Sequence, residues 1–177
     1  MKLLRIFGFK KYDESVLSLY TNIVTQSRTK SFYRLYGVPD TINGRFDLIT
    51  LHMFIVLRRL KELGDEGIKL SQDLFDIMFA DMDKNMREMG VGDLSVGKKI
   101  KVLATAFYGR IKAYDNGIAG LNDETLVACL KRNLFSEIVP KEEHVETVTD
   151  YLLREIRASK NWSITDIKTN NISFGKI

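Results

Sequence analysis

A chain of 177 residues and 20.3 kDa is the size of one domain, and 45% hydrophobic with 28% charged residues is a globular composition, not a disordered one. The lone Cys129 excludes a disulfide framework, and one cysteine with two histidines leaves too few soft ligands for a structural zinc site. The net charge of +4 is laid out in blocks: residues 1–63 carry 11 Lys/Arg against 5 Asp/Glu, residues 64–92 carry 3 against 7, and residues 93–117 carry 5 against 2, a patterned surface and not a general nucleic-acid coat.

Met1 to Tyr12 holds Leu3, Leu4, Ile6, Phe7 and Phe9 among four cations and no acid. Its apolar part is too short and interrupted for a secretory signal, which leaves a packed lead-in or a weak interfacial anchor. From Asp13, a suitable cap, apolar residues recur at helical spacing: Val16, Leu17, Tyr20, Ile23 and Val24 form one stripe. A short helix carries Phe32, Tyr33 and Tyr36 and ends at Gly37. Residues 38–44, with Pro39 and Asn43-Gly44, read as a loop. A helix over about residues 46–63 is apolar on most sides, so it is expected at the centre of a bundle, stopping at Gly64.

Ser71 is the expected cap of a helix to Met89, with Leu74, Phe75, Met78, Met82, Met86 and Met89 on one face. The next helix, Ser95 to about Asn116, sets Val96, Ile100, Leu103, Phe107, Ile111 and Tyr114 against Lys98, Lys101 and Lys112, with Lys99 and Arg110 near the edge. Asn122 or Asp123 caps a short helix to about Phe135, and Pro140 fits the first turn of another, striped by Val145, Val148, Leu152 and Ile156. Ser163 and Asp166 have capping-box spacing. The expected fold is all-α, a single compact bundle of about six or seven helices: residues 1–11 a basic and apolar lead-in, 12–160 the helical domain, and 161–177 a short irregular tail.

No pattern argues for catalysis. His52 sits on the most apolar helix and reads as a satisfied core histidine. Cys129 reads as packing. Asp76, Asp81, Asp83 and Glu88 do not share a face at ligand spacing, and no nucleophile elbow, phosphate loop or dinucleotide fingerprint occurs. No cofactor, metal or catalytic residue is expected. The run Met78, Met82, Met86, Met89 is either core or a soft apolar groove for varied partners. The lysine face is a solvated flank or a contact for RNA, an anionic membrane or an acidic protein loop.

The ordered set Phe32-Tyr33, Gly37 through Thr41, Gly44 through Asp47, Leu51-His52, Leu57 through Lys61, Gln72 through Asp76, Asp81 through Asp83, Asn85 through Gly97, Lys98 through Lys101 and Phe107 through Arg110 resembles the ubiquinol–cytochrome c chaperone family over residues 12–135. The closing residues 172–175 are similar to the family's ending. The resemblance implies a non-enzymatic assembly factor for the cytochrome bc1 complex, a respiratory-chain complex, that receives newly made cytochrome b or another bc1 subunit. It also implies a small partner subunit and a ribosome contact, since mitochondrial members are implicated in both. The start of the chain, with no long presequence, resembles bacterial members more than mitochondrial ones; the expected location is the cytoplasm, with a peripheral contact at the inner face of the cytoplasmic membrane as an option, or the matrix side if the chain is eukaryotic. Candidate contacts from the matching segments are Arg45, Asp47, Asp81, Asp83, Arg87, Glu88, Lys98, Lys99, Lys101 and Arg110, with Met78, Met82, Met86 and Met89 as the apolar groove. The rival expectation is a ribosome- or RNA-associated factor acting through the basic helix face; specific DNA binding is not expected, because base-stacking aromatics are missing from that face apart from Tyr108.

Overall fold

A computed structural model of the chain describes residues 13–121 and 125–177. These form eight helices: α1 (Glu14–Ser27), α2 (Lys30–Arg34), α3 (Ile42–Lys61), α4 (Gly64–Glu88), α5 (Asp93–Ala119), α6 (Leu126–Leu134), α7 (Glu142–Ser159) and α8 (Ile164–Lys168). Among the described residues there is no strand. The expectation of an all-α bundle holds, with α2 and α8 as single turns. The lead-in at residues 1–11 lies outside the described residues.

The apolar girth of α3 places it at the centre. Every residue from Phe46 to Val56 is buried, and the helix touches α1, α4, α5, α6 and α7. A helix hydrophobic on all sides is stable only when other helices cover all sides. Phe32, Leu48, Leu51, Phe54, Leu74, Phe107, Tyr114, Val148 and Leu152 are all within one core cluster. Cys129 packs there too, its thiol near the Ala113 carbonyl.

Several helix starts differ from the sequence expectation. α3 begins at Ile42, inside the expected loop, because the Thr41 hydroxyl accepts from the Gly44 amide and caps it. Asn43-Gly44 is therefore helix, and Gly44 is required by proximity: a Cβ there would stand 2.0 Å from the Pro39 carbonyl oxygen. Gly64 starts α4 where a stop was expected. Its φ of +73° turns the chain after α3, and Asp65 and Glu66 then favour the positive end of the new helix. Ser71 is consequently inside α4, its hydroxyl donating to the Gly67 carbonyl. α5 starts at Asp93 instead of Ser95. Asn122 and Asp123 lie outside the described residues; the cap of α6 is Thr125, whose hydroxyl accepts from the Ala128 amide. Pro140 precedes α7, and Lys141 is its first flanking residue.

Ser163 and Asp166 form the anticipated capping box at α8. The following residues are pinned instead of free. Asn22 donates to the Ile172 carbonyl, Gln26 to the Gly175 carbonyl and Arg154 to the Lys176 carbonyl, while the Gly175 amide donates to Glu155. Phe174 meets the His52 and Trp162 rings edge-on.

Candidate functional site

α4 and α5 form an antiparallel hairpin whose inner half joins the core and whose outer half stands outside it. From Ala80 to Ala106 only Val96 is fully buried. The methionine stripe follows this gradient. Met78 is buried, Met82 and Met86 are half-buried, and Met89 is 56% exposed. Met78 is thus core and is corrected from a groove residue; Met89 alone of the four is freely presented. The tip is braced by Arg87, which contacts both Asp83 and Asp93, and Lys84 lies 3.6 Å from Glu88 on the same helix.

The inner half of the hairpin carries an open groove of about 350 Å³ between α3, α4 and α5. Its floor is Phe54, Leu57, Phe75, Phe107 and Ile111, and its mouth is set by Ile68 and Tyr108, 59% and 57% exposed. Tyr108 is held in a stacked geometry on Phe75, ring centroids 5.3 Å apart, and Phe75 packs in turn on Phe79 and Phe107. Arg58 and Asp115 pair across one side, and Lys61 lies beside them. An apolar floor with a few polar groups at the rim is the usual composition of a recognition site. Sequence reasoning passed over Ile68 because the helix was expected to start after it. The available signal was spacing: Ile68, Gln72 and Phe75 recur at i, i+4 and i+7 once the helix starts at Gly64.

The charged candidates separate into three groups. Asp47 and Arg110 are brought together inside the protein. The Asp47 carboxylate is 1% exposed and lies 2.6 Å from Arg110 Nε, and the guanidinium sits over the Phe46 ring. Burial pushes the Asp47 carboxyl up to about 6, opposed by the Arg110 charge. Both are corrected from surface contacts to an internal tie between α3 and α5. Asp81 accepts from the Tyr20 hydroxyl at 2.9 Å and ties α4 to α1; burial and this acid raise the Tyr20 pKa. Arg45 is exposed and pairs with Asp40 beside the α2–α3 loop, away from the hairpin tip. Lys98, Lys99 and Lys101 are exposed on α5 and form no ion pair with a described residue.

His52 is the core histidine expected. It is fully buried, with Nδ1 2.7 Å from the Leu48 carbonyl and 3.1 Å from Ser27 Oγ, and Nε2 2.9 Å from the Tyr151 hydroxyl. Burial lowers its pKa to about 4. Through Ser27 and Tyr151 the buried ring ties α3 to α1 and α7. Among the described residues no set of His, Cys, Asp and Glu side chains is placed to hold a metal ion, and no helix is long and apolar enough to cross a membrane.

A bundle wrapped on one apolar helix, with an open groove and a lysine flank unpaired among the described residues on its α4–α5 hairpin, has the form of a helical binding domain. The model of the ubiquinol-cytochrome C chaperone family matches residues 34–174, and the chain belongs to that family. The family is one of assembly chaperones and not of enzymes. The ubiquinol-cytochrome c reductase complex assembly factor 1 of Homo sapiens is 28% identical over 164 residues, 88% of this chain and 54% of that protein. The factor of the same name from Xenopus laevis is 26% identical over 83% of this chain and 73% of its own length. The crystal structure of the Cbp3 homolog from Brucella abortus superposes with a TM-score of 0.80 at 33% identity, covering 92% of this chain and 90% of that one. The chain spans about half the length of the human relative.

Proposed function

We propose that this protein is an assembly chaperone of the ubiquinol–cytochrome c reductase (bc1) complex, and that it holds newly made cytochrome b at the membrane face where that subunit is inserted. The observation that carries the reading is the α3–α4–α5 groove, an apolar floor kept open to solvent by a stacked Tyr108 and an exposed Ile68. Apolar segments of an unassembled membrane protein are the chemistry such a floor accepts, and they supply most of the affinity. Asp83, Arg87, Glu88, Lys98, Lys99 and Lys101, from the matching segments, are exposed or half-exposed on the adjoining outer half of the hairpin and would set register and encounter rate. Met86 and Met89 extend the apolar surface toward the tip. A small partner subunit and a ribosome contact belong to the same reading, as neighbours of the client during synthesis.

The test is Ile68→Asp in the cell of origin. It puts a charge at the groove mouth without touching the core, so the folded protein should accumulate normally. Cytochrome b should no longer copurify with it, and the bc1 level in membranes should fall. Normal bc1 assembly at normal chaperone level would remove the groove from the mechanism.

A further inference from the structure

α5 carries, beside the groove, a longer basic and apolar flank. Between Leu94 and Tyr114 the chain has five cations and no acid. Arg110 turns inward to Asp47. The other four, Lys98, Lys99, Lys101 and Lys112, are exposed, and none pairs with a described carboxylate. Arg45, Arg58, Arg59, Arg87 and Arg154 each have an acidic partner, while Arg28, Lys30 and Arg34 around α2 form a smaller group, unpaired among the described residues, without the length of the α5 flank. Unpaired like charges along one helix repel one another, so their concentration here points to an anion that comes from outside the chain.

Exposed apolar side chains lie among these lysines: Leu94 at 93%, Val102 at 67% and Tyr108 at 57%. At about 100° per residue, Leu94, Lys98, Lys101, Val102, Thr105 and Lys112 fall on one flank, and the span from Leu94 to Lys112 is about 27 Å. Small side chains in its middle, Thr105 and Ala106, leave the surface open between Lys98, Lys101 and Val102. Two ammonium groups beside an apolar wall complement a molecule that is anionic at one end and apolar at the other.

We propose that this flank of α5 is a docking surface for an anionic lipid bilayer, with the lysines on phosphate headgroups and Leu94, Val102 and Tyr108 in the interfacial layer. The cations on the flank are all lysines, compact charges on flexible stems that suit a mobile array of headgroups. Carboxylates of a folded protein partner are matched better by the planar fork of arginine. The apolar residues are spread along a helix flank instead of gathered in one pocket, as at an interfacial helix. Tyr108 is the one aromatic on the flank, too little for stacking on single-stranded RNA. The inference deepens the membrane-face setting proposed above and rests on it for its biological context. Tyr108 borders both surfaces, so a docked α5 would set the groove mouth at the bilayer.

Flotation of the full chain with vesicles tests the surface without any client. Binding is expected to vesicles of phosphatidylcholine mixed with phosphatidylglycerol, to be absent with phosphatidylcholine alone, and to weaken with salt. Lys98→Glu/Lys101→Glu/Lys112→Glu should lower binding by on the order of a hundredfold, and Leu94→Ser/Val102→Ser by on the order of tenfold with charge unchanged. All five positions are exposed, and an unchanged helical spectrum and melting point checks the fold. A neutral Lys→Gln triple should fall between the wild type and the reversed variant. Residues 1–12, basic and apolar themselves, are intact in every variant, so undiminished flotation of the charge-reversed protein overturns the assignment to α5. Binding to single-stranded RNA without binding to anionic vesicles overturns it in favour of RNA, and binding to neither overturns it outright. Ile68→Asp should float like the wild type, which separates failure of this surface from failure of the groove.

Discussion

Replacing Arg110 by Met should destabilise the protein in a way that depends on pH. The Asp47 carboxylate is 1% exposed, and Arg110 is the cation beside it. Losing the partner of a buried ion leaves an uncompensated charge, a cost of about 3–5 kcal/mol when the ion cannot neutralise. Asp47 can neutralise, because burial already holds its pKa at about 6 with Arg110 present. Removing the cation raises that pKa further, and each additional unit costs about 1.4 kcal/mol at a pH above both values. A rise of roughly two units would therefore cost about 2 kcal/mol at pH 8, where the variant's carboxyl is only half ionised, and approach about 3 kcal/mol at higher pH. Near pH 5 the carboxyl is protonated in both proteins, so this cost vanishes. What remains is the guanidinium lying over Phe46, worth about 0.5–1 kcal/mol, which Met partly replaces by packing. Urea unfolding of wild type and Arg110→Met at the two pH values measures the difference. A destabilisation of equal size at both would refute the buried ion pair as its source. The double variant Asp47→Leu/Arg110→Met should regain most of the loss at pH 8, since a buried pair replaced by apolar residues of similar volume is often neutral.

Asp47 and His52 should oppose each other in the pH dependence of stability. The folded Asp47 pKa lies above its unfolded value, so its contribution is fully present below about pH 4 and is lost as pH rises through about 6. The folded His52 pKa of about 4 lies below its unfolded value, so its contribution is present above about pH 6.5 and lost as pH falls toward 4. The wild-type melting temperature should accordingly be nearly flat between pH 4 and 6, and Asp47→Asn should make it fall steeply on acidification; a flat profile in that variant would exclude His52 as the acid-sensitive group. Two glycines give a contrast in one assay. Gly44→Ala drives a Cβ into the Pro39 carbonyl and should cost about 2–3 kcal/mol, whereas Gly109→Ala meets nothing within 4 Å on an exposed helix and should gain about 0.5–1 kcal/mol. Thermal melts of both variants would show the opposite shifts.

Periodicity along the chain was enough for the helices and their ranking. An apolar period of 3.6 residues is a local property, so α1, α3, α5 and α7 could be drawn from single stripes, and the all-round apolarity of residues 46–56 could come only from a central helix. The lysine flank of α5 and the core role of His52 were legible for the same reason. The family resemblance was legible as well, because an ordered set of short runs is a property of the chain itself.

Tertiary structure decided which stripes are covered. Met78 and Met89 belong to one face of one helix, yet one is buried and the other exposed, because α4 runs past the end of the core that covers its first half. Asp47 and Arg110 are 63 residues apart and became an internal pair only because α3 and α5 cross there. Ile68 became a groove residue because the Gly64 turn lets α4 start before the expected cap. The tail after α8 is held by Asn22, Gln26, Arg154 and Glu155, from two helices far apart in sequence, to which no local pattern points. A stripe says which way a side chain faces. Whether another helix stands there is a property of how the chain closes on itself.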